Sequence, residues 1–211
     1  MNLSSALSRF WRNELGYKAK DFLRPVKHSL FGKTGIYRAL DELHDPKVLL
    51  DVGAAIGETA VPMRKRFPNA KVYAIEPNPV QFKKLAKKGF KHNVWCYNLG
   101  ISDAQGVKMM TFNPSHPDAG SLYGGVGVEV PVRVDTLDAF CEFHGIKGVD
   151  FLKIDTEGWE LNVLKGAAET LKNTKAIYVE ISKNWYEVMT LLHDAGFRLA
   201  DNYGDYFFIK Q

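Results

Sequence analysis

The segment LLDVGAAIGET covers residues 49–59. It contains an acid at the end of an apolar run, followed by two glycines that are four residues apart. Gly53 and Gly57 give this turn conformational freedom and let its backbone come close to a ligand. A turn between a buried strand and the start of a helix is typical of nucleotide and nucleoside sites. A pyrophosphate-binding turn would read G-x-G-x-x-G, but Ala55 crowds the position of its middle glycine.

The turn also lacks the Gly-Lys-Ser/Thr ending of a phosphate-cradling P-loop. A ligand without a phosphate chain fits these residues better, and S-adenosylmethionine, an adenosine with an amino-acid tail, is such a ligand. Glu76 supports this prediction, because it follows the glycines by roughly 20 residues, where an acid accepts ribose hydroxyls. We expect Asp51 to face the methionine amino group or to fix the turn.

A second set of charged residues could manage the proton of an acceptor. Strand alternation places Phe151, Lys153 and Asp155 on one face, with Asp155 at the end of its strand. A hydroxyl becomes a good nucleophile when a base such as Asp155 begins to remove its proton. Lys153 is predicted to be buried, where an unpaired charge is costly, and Glu180 on the neighbouring strand is its candidate partner. This pair is either catalytic or a structural brace between two strands.

The acids at these strand ends allow further interpretations. Asp155 and Glu180 could hold a divalent cation that lowers the pKa of the acceptor. No His or Cys ligand set accompanies them, so direct base catalysis is favoured over metal dependence. Glu157 either contacts the acceptor or caps the helix that follows it.

The segment NPSHPDAGSLYGGVG, residues 113–127, is predicted to be a loop that is too long for a simple turn. One interpretation is a lid that excludes water, with His116 or Ser121 reaching the acceptor. The alternative is a mobile surface loop with no role in binding.

Apolar strands that alternate with helices must position these residues. Such alternation predicts an α/β fold with a mostly parallel sheet and helices on both faces. The predicted strands are KVLLDVG, KVYAIEP, NVWCYNLGIS, GVKMMTF, VEVPVRV, VDFLKIDTEG, KAIYVEIS and YFFIK. The predicted helices are ETAVPMRKRF, NPVQFKKLAKKG, TLDAFCEFHG, GWELNVLKGAAETLK and NWYEVMTLLHDAGF.

Composition narrows the class of protein. The chain has 211 residues, 45% of them hydrophobic and 25% charged, as in a globular protein with one core. No apolar stretch approaches the roughly 18 residues of a membrane-spanning helix, and no secretory signal is recognised. Two widely spaced cysteines indicate reduced thiols. We therefore expect a cytoplasmic protein.

The first 45 residues differ from the rest of the chain. Apolar residues recur there at helical spacing with basic residues between them, at Leu3, Leu7, Phe10, Trp11 and Leu15. This pattern predicts an N-terminal helical extension over residues 1–45. The helix either covers one end of the core or makes a peripheral contact with an anionic membrane surface.

From about Lys47 to the end, the motifs together resemble the FkbM family of S-adenosylmethionine-dependent methyltransferases. The motifs that carry the resemblance are LLDVGAAIGETA, YAIEPNP, NLGISDAQG, VPVRVDTLDAF, VDFLKIDTEGWELNVLKGA and IYVEIS. The resemblance implies a Rossmann-like catalytic domain over residues 46–211, with an antiparallel final strand. It also implies methyl transfer to a hydroxyl oxygen, often on sugars or secondary metabolites.

The resemblance assigns roles by position. Asp51, Gly53 and Gly57 would hold the methionine part of the donor, and Glu76 the ribose. Ala55, Pro77 and Asp155 are further expected contacts of the cofactor. Asn98 would lie beside the adenine, and Asp155 at the point of methyl transfer. Many methyltransferases have a glycine at the position of Ala55, which implies a shift in cofactor fit.

Other enzymes and a binding protein are the alternatives. An amino-group methyltransferase usually has a D/N-P-P-aromatic turn where this chain has Asp-Thr-Glu-Gly. A carbon-methylating RNA enzyme needs a nucleophilic cysteine at this edge of the sheet, and this chain has none predicted there. Its basic residues also do not follow the pattern of a nucleic-acid-binding groove. An NAD-dependent oxidoreductase on the same fold and a non-catalytic nucleoside-binding scaffold stay open. The identity of the acceptor and the oligomeric state are open as well.

Overall fold

The computed structural model describes residues 35–113, 116–121, 127–202 and 205–211. The helices in these ranges are α1 (Gly35–Asp41), α2 (Ala60–Arg66), α3 (Pro79–His92), α4 (Leu137–Phe143), α5 (Glu160–Lys165), α6 (Ala168–Lys172) and α7 (Trp185–Asp194). The strands are β1 (Val48–Val52), β2 (Lys71–Ile75), β3 (Trp95–Tyr97), β4 (Gly100–Ile101), β5 (Gly106–Asn113), β6 (His116–Ser121), β7 (Val128–Asp135), β8 (Phe151–Ile154), β9 (Ala176–Val179), β10 (Phe197–Asn202) and β11 (Tyr206–Lys210).

Seven strands form the main sheet, in the order β10-β11-β9-β8-β1-β2-β3. β11 runs antiparallel to both of its neighbours, and the other neighbouring pairs are parallel. Every residue of β8 and β9 is buried, as expected for parallel strands that carry helices on both faces. The predicted α/β fold with an antiparallel final strand is therefore confirmed.

A second, smaller sheet has the order β4-β7-β5-β6. The predicted strand NVWCYNLGIS is divided between β3 of the main sheet and β4 of the second sheet. Between them, the Asn98 side chain donates to the carbonyls of Glu76 and Pro77. The predicted extended pair GVKMMTF and VEVPVRV is confirmed as the antiparallel pair β5 and β7. The predicted loop over 113–127 is wrong for His116–Ser121, which form β6 against β5.

Two further differences concern the second half of the chain. The predicted helix over residues 158–172 is divided into α5 and α6 at Gly166. A Cβ atom there would lie 2.0 Å from the carbonyl oxygen of Ser102, so the close approach of this backbone requires glycine. β10 was not predicted, and it pairs with β11 at the edge of the main sheet.

The core lies between the main sheet and its helices. Ala39 and Leu40 of α1 are buried in it, together with residues of β1, β2 and α2. The predicted N-terminal helix over Leu3–Leu15 lies outside the described residues, so its role and the division at residue 45 stay predictions. No helix within the described ranges has the length and apolar character needed to cross a bilayer.

Candidate active site

The glycine turn after β1 adopts a left-handed backbone at alternate residues. The φ angles are +80° at Gly53, +47° at Ala55 and +84° at Gly57. A Cβ atom on Gly53 would lie 1.7 Å from the carbonyl oxygen of Asp155, so this position must be glycine. The turn is held to the end of β2, because the amides of Gly53 and Ala54 donate to the carbonyl of Ile75 at 3.0 and 3.1 Å.

Gly57 combines a positive φ of +84° with a close approach to α3. A Cβ atom there would lie 2.9 Å from Cδ1 of Leu85, a buried residue of α3. Glycine therefore suits both the left-handed backbone of the turn and its contact with Leu85. Its assignment to the cofactor stays a prediction.

Ala55→Gly is expected to raise the free energy of unfolding by about 0.5–1 kcal/mol, since glycine adopts a left-handed conformation without a steric cost. Chemical denaturation would measure the change. Ala54→Gly is the matched control, because Ala54 is buried and has no positive φ. The control should be less stable than the parent, and a loss of stability in Ala55→Gly would contradict the account.

Glu76 joins the glycine turn to the start of α3. Its Oε1 accepts from the amide of Asn78 at 2.7 Å and its Oε2 accepts from the amide of Ala55 at 2.9 Å. The side chain is buried, and this burial raises the pKa of Glu76 to about 7. A carboxylate oxygen can accept a second hydrogen bond. Glu76 can therefore still accept hydrogen bonds from the two hydroxyls of a ribose.

Asn98 braces this wall of the site. Its Nδ2 donates to the carbonyls of Glu76 at 2.9 Å and Pro77 at 3.0 Å. Pro77 and Leu99 line the cleft, so Asn98 shapes it through its neighbours. Contact between Asn98 and the adenine stays a prediction.

These elements line an open cleft at the carboxyl ends of β1, β2 and β8, with a cavity volume of about 100 Å³. The lining residues are Val52, Gly53, Ala55, Ile75, Glu76, Pro77, Gln81, Leu99, Gly100, Ile101, Met110, Asp155, Thr156, Glu157 and Trp159. One wall is mainly apolar around Glu76, and the other carries the acids that follow β8.

Lys153 is buried and does not pair with Glu180 as predicted. Its Nζ lies 3.2 Å from Oδ1 of Asp51 and 3.1 Å from Oδ2 of Asp155. Nζ also donates to the carbonyl of Gly53 at 3.3 Å. The register explains the difference, because Lys153 lies opposite Asp51 in β1. In β9 it lies opposite Tyr178, two residues before Glu180.

The charges of this network depend on one another. Burial raises the pKa of Asp51, and the ammonium of Lys153 offsets part of that effect. Burial alone would lower the pKa of Lys153, but Asp51 and Asp155 outweigh it and raise that pKa. Lys153 is therefore a permanent cation that joins β1, β8 and the glycine turn.

Three carboxylates meet where β8 and β9 end. Oxygens of Asp155, Glu157 and Glu180 lie within 4.8 Å of one another. A hydrogen bond with Asp155, together with burial and neighbouring carboxylates, raises the pKa of Glu180 to about 8. These oxygens could ligate a hard divalent cation, but the ammonium of Lys153 already contacts Asp155. Glu180 can therefore hold a proton near neutral pH.

Sequence reasoning missed several residues of the cleft. Met110 comes from the second sheet, whose approach no local pattern indicates. Gln81 lies in the first turn of α3. Trp159 lies within the motif VDFLKIDTEGWELNVLKGA, which does not reveal its contact: its Nε1 donates to Oγ of Ser102 at 3.2 Å. The Nζ of Lys108 lies 5.2 Å from the centroid of the Trp159 ring, which joins the second sheet to the cleft.

His116 and Ser121 lie on β6, opposite Asn113 and Thr111 of β5. Their side chains lie outside what the structure describes, so their contact with the acceptor stays a prediction. Glu157 lines the cleft with a φ of +54° and precedes α5 by three residues. The helix that it was predicted to cap therefore begins later than expected.

Comparison with known proteins settles the family. Residues 51–199 match the Methyltransferase FkbM domain. The chain belongs to the FkbM methyltransferase family. The 31-O-demethyl-FK506 methyltransferase FkbM of Streptomyces tacrolimicus is 30% identical over 75% of this chain and 75% of its own length. The hexuronic acid methyltransferase AglP of Haloferax volcanii is 31% identical over 79% of this chain and 71% of its own length.

The fold agrees with this family. The structure of Aeropyrum pernix fibrillarin with S-adenosyl-L-methionine superposes with a TM-score of 0.50, covering 83% of this chain and 71% of the other at 18% identity. This FkbM-family chain is a Rossmann-like methyltransferase that depends on S-adenosylmethionine. The alternatives of an NAD-dependent oxidoreductase and a non-catalytic scaffold are not favoured.

Proposed function

We propose that this chain transfers a methyl group from S-adenosylmethionine to a hydroxyl of a sugar, glycoconjugate or secondary metabolite. The observation that carries the proposal is the group of three carboxylates within 4.8 Å, placed beside the glycine turn at the edge of the cleft. The relatives support the class of acceptor, since one acts on a hexuronic acid and another carries 31-O-demethyl-FK506 in its name.

The residues that line the cleft fit the donor in their chemistry. Ile75, Pro77, Leu99 and Ile101 give an apolar wall for the adenine, and Glu76 lies within the same wall. The carboxylate of Glu76 would accept the ribose hydroxyls. The glycine turn, with Lys153 and Asp51 beneath it, would hold the amino-acid tail.

The acids that follow β8 and β9 would take the proton of the acceptor. S-adenosylmethionine supplies a methyl group that is already activated for transfer. The chain must therefore align the acceptor oxygen and accept one proton. Asp155 would accept this proton, while Glu180, whose pKa is raised to about 8, holds a proton of its own near neutral pH and hydrogen-bonds to Asp155. Lys153 holds Asp155 in place by its contact of 3.1 Å.

Donor affinity should rise with pH through about 7. Ribose hydroxyls donate hydrogen bonds, so they prefer ionised Glu76, whose pKa is raised to about 7. About one tenth of the residue is ionised at pH 6, which predicts roughly tenfold weaker binding of S-adenosylhomocysteine than at pH 8. Calorimetry at the two pH values measures the ratio. Glu76→Gln should bind weakly at both, and an equal pH response in that variant would contradict the assignment.

A screen of acceptors with a methyl-labelled donor tests the proposed function. We expect label on hydroxyl oxygens of saccharides or polyketides, and no loss of transfer when a divalent-cation chelator is added. Label found on nitrogen or carbon would contradict oxygen transfer. Activity that disappears with the chelator and returns with a divalent cation would replace direct base catalysis by metal-assisted transfer.

A further inference from the structure

The segment between β8 and α5 has an unusual backbone. It carries Asp155, Thr156 and Glu157 along the cleft, and its φ angles reach +54° at Glu157 and +100° at Gly158. A left-handed residue other than glycine needs support from its surroundings. Contacts with other residues must therefore stabilise the left-handed backbone of this segment.

Glu160, in the first turn of α5, provides that support. Its Oε1 accepts three hydrogen bonds from the segment: Thr156 N at 3.1 Å, Thr156 Oγ1 at 2.9 Å and Gly158 N at 2.9 Å. The residue is 0% exposed, and its Oε2 has no hydrogen-bond partner among the described residues. Burial of an acidic side chain is unfavourable in free energy, and these three hydrogen bonds offset that penalty.

We propose that Glu160 is a positioning residue for methyl transfer, which holds the 155–158 segment so that Asp155 and Glu157 converge on the acceptor. This inference rests on the proposed function of the same site. Glu160 acts through the backbone of the segment, whereas Lys153 fixes Asp155 from beneath.

The hydrogen bonds that hold the donor half of the cleft do not involve Glu160. The Gly53 amide is held by the carbonyl of Ile75, and Glu76 is held by the amides of Ala55 and Asn78. Loss of the Glu160 contacts should therefore misplace the acids without changing the donor wall. Substitution of Glu160 should therefore lower turnover and leave donor affinity unchanged.

Glu160→Met, Glu160→Gln and Glu187→Met test the proposal. Methionine fills the space but lacks a strong acceptor, whereas glutamine retains an acceptor oxygen. Glu187 is the matched control, an exposed acid in the first turn of α7. We expect Glu160→Met to lower kcat by about 100-fold, the cost of misplacing reacting groups by about 1 Å. S-adenosylhomocysteine should bind as in the parent, and Glu160→Gln should restore most of the turnover.

Hydrogen exchange gives a readout that needs no acceptor. The amides of Thr156 and Gly158 should exchange faster in Glu160→Met and at the parental rate in Glu187→Met. Unchanged exchange would overturn the proposal, and so would Glu160→Gln being as slow in turnover as Glu160→Met. Donor affinity lost together with turnover would show a merely structural role and overturn it too.

A second variant keeps the test decisive if Glu160→Met does not fold. Thr156→Val removes the hydroxyl donor and keeps the shape, so exchange across 156–158 should rise, and parental exchange would overturn the proposal. If the parent methylates no acceptor, the proposed function fails. The exchange rates still decide whether Glu160 orders the segment.

Discussion

Lys153→Met is expected to lower the free energy of unfolding by about 3–5 kcal/mol at pH 8. The substitution leaves Asp51, which is 0% exposed, without its cation. Burial already raises the pKa of Asp51, and loss of Lys153 would raise it further. The carboxyl would be neutral and tolerated at low pH, so the loss should be smaller at pH 5 than at pH 8.

Denaturant unfolding at both pH values measures this effect. Lys172→Met is the matched control, since Lys172 pairs with Glu169 on the surface with both side chains about two-thirds exposed or more. The control should change stability by less than about 0.5 kcal/mol. The double variant Asp51→Asn/Lys153→Met should recover much of the loss. A Lys153→Met chain as stable as the parent at pH 8 would contradict the buried network.

Asp155→Asn is expected to lower turnover by about 100-fold or more while it leaves donor affinity within a few-fold of the parent. Its carboxylate lies at the point where Lys153, Glu157 and Glu180 meet. Asparagine has nearly the same size but accepts no proton, so the acceptor loses its base. The donor wall, centred on Glu76, is unchanged.

Steady-state kinetics with labelled donor, together with calorimetry, would separate the two effects. Asp150→Asn is the matched control, because Asp150 precedes β8 and binds the amides of Lys47 and Val48 far from the carboxyl ends of the strands. It should retain the turnover of the parent. Equal turnover in Asp155→Asn and the parent would remove Asp155 from the chemistry.

Much of the main sheet was predictable from local pattern. The strands VLLDV and FLKI are largely buried. Short, mainly apolar runs of this kind are typical of buried strands, so the sequence predicts them. The second sheet was less predictable, since β4 has two residues and β6 is formed by HPDAGS, a sequence rich in turn formers. Its pairing with β5 is a tertiary effect that outweighs local propensity.

The sequence predicted which residues lie at the site but not which of them form ion pairs. Strand ends placed Gly53, Glu76 and Asp155 at one edge of the sheet. The partner of Lys153 was not predictable, because it depends on which strand lies beside β8 and in which register. The role of Glu160 was hidden for a related reason, since its side chain reaches back to residues that precede its own helix.

Titration calorimetry with S-adenosylhomocysteine tests the central claim, that this cleft holds a sulfonium nucleoside. The account predicts micromolar or tighter binding to the parent chain, loss of that binding in Glu76→Ala, and no heat with NAD. Binding of NAD, or equal binding of S-adenosylhomocysteine by the parent and Glu76→Ala, would contradict it.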